Sequence, residues 1–263
     1  MPYYPRRKGM RKSRKPSYRK KTSYLKPKKN FVKAVKAIIH RQIENKITND
    51  YGANQTLAYA GSATNPTFIN LCPIPSQGAI QGTRLGNEIN VVRATIRGRV
   101  NLLPYNAISN VTYAPVAVKM WLCQRKSSNR LVSGAPTSTD FGTFFQLGSG
   151  SAGFQGNILD ILFSPNKDYW NVFAQKTYTL NNAYISTGGT GVVTSTNAPM
   201  SMPFTFSFAK HLGKLKYNDS SSYATNKELY LVFQTVALDG TTIISSQNMA
   251  EVHWETQWLF EDA

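Results

Sequence analysis

Residues 92–102 read VRATIRGRVNL. Val92, Ala94, Ile96, Gly98, Val100 and Leu102 fall on one side of a two-residue period, and Arg93, Thr95, Arg97, Arg99 and Asn101 fall on the other. Successive side chains of an extended chain point to opposite faces, so this alternation predicts a half-buried β-strand. The period recurs outward from this stretch. Phe204, Phe206 and Phe208 alternate with Thr205, Ser207 and Ala209; Val252, Trp254, Thr256, Trp258 and Phe260 alternate with Glu251, His253, Glu255 and Gln257. Residues 116–124 and 228–237 are apolar at nearly every position, as expected of central strands or of strands at a subunit contact. Weaker strand candidates lie at 67–71, 169–179 and 184–193, and short helices are expected near 140–147 and 154–162. The connections at 73–86, 127–139 and 186–203 are long and rich in Gly, Ser, Asn and Pro, which commonly marks functional loops. The sum is an all-β class: a single antiparallel sandwich of about eight strands, with a jelly roll leading over an immunoglobulin-like arrangement, whose loops are usually shorter.

The other end of the chain obeys different rules. Residues 1–46 hold 17 of the 31 Lys and Arg but one of the 13 acids, Glu44. The remainder holds 14 basic and 12 acidic residues, so of the net charge of +18 all but two units sit in the first segment. Residues 1–30, MPYYPRRKGMRKSRKPSYRKKTSYLKPKKN, have almost nothing to bury and are expected to form a disordered arm. A cation run of this kind binds polyanions through counterion release, without sequence preference and with strong salt dependence. Its candidate contacts are Arg6, Arg7, Lys8, Arg11, Lys12, Arg14, Lys15, Arg19, Lys20, Lys21, Lys26, Lys28 and Lys29. Tyr3, Tyr4, Tyr18 and Tyr24 interleave with them and offer stacking platforms for unpaired bases. The arm lacks the apolar face that would sink into lipid, so nucleic acid is the expected partner and membrane insertion is not expected. Phe31, Val35, Ile38, Ile39 and Ile43 recur at helical spacing, so 31–46 is expected to be a basic amphipathic linker, as a helix or an extension of the first strand. The division is then 1–30 arm, 31–46 linker, 47–263 β domain.

Catalytic and metal chemistry find little support. Gly148, Gly150 and Gly153 spell G-x-G-x-x-G, but Gly156 and Pro165 interrupt the helix a dinucleotide site would need, and the neighbouring segments alternate as antiparallel strands. A flexible loop is the expected reading. His253-Trp254-Glu255 has the spacing of a zinc deaminase H-x-E without its Pro-Cys-x-x-Cys partner. His253 and Glu255 share the polar face of one strand and are expected to make a weak exposed pair or an interface contact. With His40, His211 and His253 as the only histidines, no Ser–His–Asp triad can be argued. No enzyme, no metal and no cofactor are expected. Cys72 and Cys123 stand alone in apolar surroundings, as buried free thiols do. The sequons at Asn54, Asn110 and Asn218 carry no weight without a secretory signal. Arg93, Arg97 and Arg99 form a row on one strand face, where a genome contact, a subunit ion pair and a merely solvated face are all open.

Three stretches carry a family resemblance: the opening MPYYPRRK, the lead-in RQIENK, and QGTRLGNEINVVRATIRGRV, in which Gly82, Arg84 and Gly86 form a Gly-x-Arg-x-Gly turn before the alternating strand. In these the chain resembles capsid proteins of circular Rep-encoding single-stranded DNA viruses, the circovirus-like group. The resemblance implies a jelly-roll coat protein that self-assembles, about sixty copies to a T=1 icosahedral shell. It also implies single-stranded nucleic acid, DNA by the resemblance, held on an inward-facing arm that doubles as a nuclear localisation signal for the host nuclear import machinery. The implied locations are the virion and, during assembly, the host nucleus. A near-neutral body fits copies that must abut one another. The competing expectation is a cellular nucleic-acid-binding or organelle-targeted β protein whose acid-poor extension acts as a transit peptide. A virus-like lectin or spike domain would lack the arm altogether.

Overall fold

The computed structural model describes residues 33, 45–58, 66–103, 115–126, 141–181, 200–219, 222–238 and 248–262. The arm, the rest of the amphipathic segment before residue 45, and the strand candidate at 184–193 lie outside the described residues.

Eleven described strands follow in order: β1 Asn45–Ala58, β2 Thr67–Asn70, β3 Glu88–Leu102, β4 Val116–Arg125, β5 Phe145–Leu147, β6 Gly150–Ala152, β7 Trp170–Leu180, β8 Ser201–Ser207, β9 Lys214–Lys216, β10 Tyr230–Ala237 and β11 Asn248–Asp262. They build one sheet in the order β1-β11-β3-β8, with β9 added beside β3, and a second in the order β2-β10-β4-β7. Every pairing within them is antiparallel. Setting aside the three-residue strands β5, β6 and β9, the pairing is nested. The first strand pairs with the last, the second with the seventh, the third with the sixth and the fourth with the fifth. An antiparallel ribbon wrapped in this order is the eight-stranded jelly roll, and it answers the sequence expectation.

The alternating stretch is the centre of the first sheet. From Ala94 to Leu102 its phase is as read: Ala94, Ile96, Val100 and Leu102 are buried, and Arg93, Arg97 and Arg99 are exposed. Val92 corrects the reading. Its neighbour Val91 is buried instead, and Val92 is 48% exposed. The cause is a bulge: β11 steps from Leu259, opposite Arg93, to Phe260, opposite Val91, leaving Val92 outside the ladder.

Mid-sheet, small and large residues alternate across the strands. Gly52 faces Trp254, Trp254 faces Gly98, and Gly98 faces Phe204. A Cβ on Gly52 would stand 2.5 Å from the Trp254 indole, and one on Gly98 would stand 2.6 Å from the Phe204 ring and 2.3 Å from the His253 carbonyl. The two glycines therefore make room for two aromatic rings: Phe204 meets Phe233 in the main core at 5.8 Å, and the half-buried Trp254 packs against the same core.

β4 and β10 are buried on both faces, as expected of central strands. Val116, Val118, Met120 and Leu122 with Leu231 and Phe233 enter the core between the sheets. Trp121 and Cys123 with Tyr230 and Val232 belong to a second cluster on the outer face. Residues 141–163 cover that face, contributing Phe141, Phe144, Phe145, Phe154 and the half-buried Phe163. Phe144, Phe145 and Phe154 meet the Trp121 ring edge-on at 5.4, 5.8 and 5.7 Å, while Phe141 stacks on Trp170 at 5.1 Å. Each buried ring removes on the order of 150–250 Å² from water, so this layer is a second core rather than a lid.

Of the helix expected near 140–147, the described residues keep only a 3₁₀ turn at Phe141. Phe145–Leu147 is β5, and it turns through Gly148, at φ +57°, into β6. The Gly-rich motif is thus the turn of a hairpin, not a flexible loop. In 154–162 one helical turn, Leu159–Leu162, forms; Gly156 at φ +74° holds the preceding residues out of it. Asp160 explains why the turn sits where it does. Its Oδ2 accepts the backbone N–H groups of Gln155 and Gly156 at 2.8 and 2.7 Å and the Gln234 Nε2–H at 3.0 Å. Burial of this carboxyl pushes its pKa up, against the lowering by its backbone donors. Lys119, opposite Gln234 in the ladder, donates to the Ile161 carbonyl and lies over the Trp121 ring.

Arg84, the centre of the Gly-x-Arg-x-Gly turn, is 2% exposed. Its guanidinium donates to the Gly86 carbonyl, the Asn87 Oδ1 and the Asn218 carbonyl at 2.7, 2.8 and 3.2 Å, over the Tyr217 ring. The motif therefore pins the loop 73–86 to the strand end. Gly82 itself sits at φ +85°, a conformation that excludes most side chains.

Candidate nucleic-acid interface

Among the described residues no layer covers the outer face of the first sheet, and the arginine row runs along its middle. Two-residue repeats on a strand stand about 6.6 Å apart, so Arg97 and Arg99 are near neighbours and Arg93 lies roughly 13 Å from Arg97. Across the ladder Arg93 faces Leu259; Arg97 lies between Glu255 and Thr205; Arg99 lies between His253 and Pro203. All three side chains are exposed. Among the described residues none of the three makes an ion pair or a side-chain hydrogen bond, although Glu255 is in register with Arg97.

Three acids of the domain are held by other cations or by His253. Glu88 takes Lys214 and, at 3.3 Å, Lys216, which hold its carboxyl below the usual range, Lys214 first. Glu251 accepts from His253 Nε2 at 3.0 Å and from Asn101 Nδ2 at 3.4 Å, and the histidine contact lowers its pKa. His253 Nδ1 accepts the Asn54 N–H at 3.3 Å. An imidazole that accepts at Nδ1 donates from Nε2, the atom that faces Glu251. The expected His253–Glu255 pair is thereby replaced: the partner is Glu251, two residues away on the same face. Asn54 stands at φ +54° where the β1–β11 register shifts. The histidine contact therefore lies at a bulge.

At the entry to the sheet, Lys46 is buried, 2.7 Å from Asp262 Oδ2 and donating to the Thr83 carbonyl at 3.0 Å. Read by charge, Lys46 belongs with the basic segment. In the structure it is a pin between β1, β11 and the loop 73–86. The signal that could have separated it is positional: it is the last cation before a polar stretch, with one acid two residues upstream. The arm residues Arg6 to Lys29 lie outside the described residues.

A cleft of about 640 Å³ beside β7 is lined by Lys126, Lys167, Ser164, Asn171, Trp170 and Phe173 among others, without a carboxylate. Among the described residues no group of three His, Cys, Asp or Glu could hold a metal ion. Both cysteines are buried and free; burial pushes the Cys72 thiol up to about 12 and raises Cys123 as well. Such thiols are not nucleophiles at neutral pH. No helix among the described residues is long and apolar enough to cross a membrane.

No family model matches the chain, and no curated protein does. Solved structures do match, among them a chain of Desmodium yellow mottle tymovirus, with 8% identity, a TM-score of 0.32, and coverage of 84% of this chain and 87% of that chain. At that score the likeness carries no weight. The fold rests on the strand order.

Proposed function

We propose that the chain is a viral coat subunit that self-assembles into a small icosahedral shell and holds a single-stranded genome with its basic N-terminal arm. The observation that carries this reading is the pairing of a jelly-roll body with a segment that holds 17 of the chain's 31 cations. The body is left with nearly balanced charge, which lets identical copies abut without repulsion. About sixty arms would bring on the order of a thousand positive charges, comparable with the phosphates of a genome in the low kilobases.

In this reading residues 1–30 are the nucleic-acid-binding arm, 31–46 the linker and 47–263 the capsid domain, with β1 taking up the chain from Asn45. The subunit works by binding and assembly, not by catalysis. DNA as cargo, T=1 symmetry and nuclear import through the arm follow from the resemblance to circovirus-like capsid proteins, and with them the virion and host nucleus as locations.

Electron microscopy of the purified protein tests the assembly. Closed shells are expected; monomers that persist across pH and salt would end the coat reading in favour of a cellular binding or organelle-targeted protein. Deleting residues 1–29 should leave a folded body and remove most co-purifying nucleic acid. Nucleic acid retained by the truncated protein at moderate salt would show the arm assignment to be wrong.

A further inference from the structure

We infer that the open face of the β1-β11-β3-β8 sheet is a second nucleic-acid contact, in which Arg97 and Arg99 take successive backbone phosphates of a single strand and Arg93 takes the second phosphate beyond Arg97. This rests on the coat reading for its cargo and adds the wall of the domain that meets it.

Four observations converge on that wall. First, the sandwich has two outer faces, and the other is sealed by the layer of Phe141, Phe144, Phe145 and Phe154. Second, the three guanidinium groups are exposed and without a described partner, while the lysines and the histidine nearby hold Glu88, Glu251 and Asp262. Arginine's planar fork is the better ion-pair former, and leaving three of them unfilled on one strand is the arrangement a phosphate ligand requires. Third, the step between Arg97 and Arg99, about 6.6 Å, is close to the phosphate repeat of an extended single strand. Fourth, the chain enters this sheet from the basic segment. Asn45 pairs with Glu261, which pairs with Asn90, so Arg93 is the member of the row nearest the point where β1 begins and Arg99 the farthest.

Glu255 is the carboxylate directly beside the row, opposite Arg97 and exposed. It weakens the attraction, and this makes it a useful probe. Replacing it should strengthen binding, which a face built only to be solvated would not show.

The test is the salt dependence of oligothymidylate binding by the full chain. Phosphate contacts to single strands each contribute about 0.7 to the slope of log K against log salt, so R93Q/R97Q/R99Q should lower the slope by about 2. The triple Lys variant should keep the slope, and Glu255→Gln should raise affinity several-fold at low salt. Thermal unfolding checks that each variant folds. An unchanged slope in a folded triple Gln variant overturns the inference. An unchanged slope with lost or altered shells would overturn it too, and assign the row to carboxylates of a neighbouring copy. Shell formation read separately by electron microscopy keeps the two proposals apart. A reduced slope in a protein that never assembles would sink the coat reading and leave the binding face standing, whereas intact shells with an unchanged slope would do the opposite.

Discussion

The two outer faces of the sandwich are made by the same device and put to opposite use. On β4 the outward positions are Ala117, Lys119, Trp121, Cys123 and Arg125; on β3 they are Arg93, Thr95, Arg97, Arg99 and Asn101. Both strands are central in their sheets and both alternate. A tryptophan in the middle of one draws a layer of phenylalanines from residues 141–163 and becomes interior. Three arginines in the middle of the other draw no layer from the described residues and stay exposed. A strand's position in the sheet decides whether its inner face is core. What its outer face becomes depends on whether another part of the chain has aromatic surface to spend there.

The sealed face should answer substitution with large losses. Phe144→Ala removes a ring packed against Trp121, Phe145 and Phe154 and should cost about 4 kcal/mol in denaturant unfolding. Asp160→Leu leaves the Gln155 and Gly156 N–H groups and the Gln234 amide without their acceptor, at about 3 kcal/mol. Asp160→Asn should cost much less, because an amide oxygen can still accept. That variant also carries a pH signature. The folded pKa of Asp160 lies above its unfolded value, so the folded state binds the extra proton between the two. Stability contributed by this group should fall as pH rises from the ordinary carboxylate range through the raised value, and Asp160→Asn should flatten that slope.

The open face should respond weakly. Glu251 has the opposite sign: its folded pKa is lowered, so its contribution is present above the usual glutamate range and lost as pH falls through the lowered value. Both partners are partly exposed, so Glu251→Gln should cost under about 1 kcal/mol, seen as a small shift in acid midpoint. Arg97→Gln should change stability by no more than about 0.5 kcal/mol in thermal melts. A loss of several kcal/mol there would mean that the row is a structural element and not a free surface, and the contrast between the faces would collapse.

Much of this sandwich was legible from side-chain period, and the misses have physical causes. β3, β8 and β11 announce themselves because each has one wet and one dry face. β4 and β10 announce burial on both sides, but not what buries them. β1 was invisible: NKITNDYGANQTLA has no alternation, because an edge strand held by backbone bonds to β11 needs little from its side chains. The segment 141–147 reads as helix because its aromatics cluster, yet they cluster for Trp121. Of the site, the row of three arginines was legible, but its unpaired state was not. That depends on which acids β11 brings alongside, and register across 150 or more residues is not a local property. Arg84 reads as the centre of a turn and Lys46 as one more cation of the basic segment, since nothing in their neighbourhood reveals the carbonyls and the carboxylate that wait for them in distant segments.

The position of β11 between β1 and β3 also orders events during synthesis. The basic segment and β1 leave the ribosome before the rest of the domain, but among the described strands β1 pairs with β11 alone, and β11 is residues 248–262. The cationic segment is therefore available to polyanions for the whole time the body is being made, while the sheet it is joined to stays split until the last strand is threaded into its middle. If the proposed coat role holds, a nascent chain would hold nucleic acid well before it could present a finished surface to another copy. In this architecture capture can precede closure by the time needed to translate nearly the entire domain.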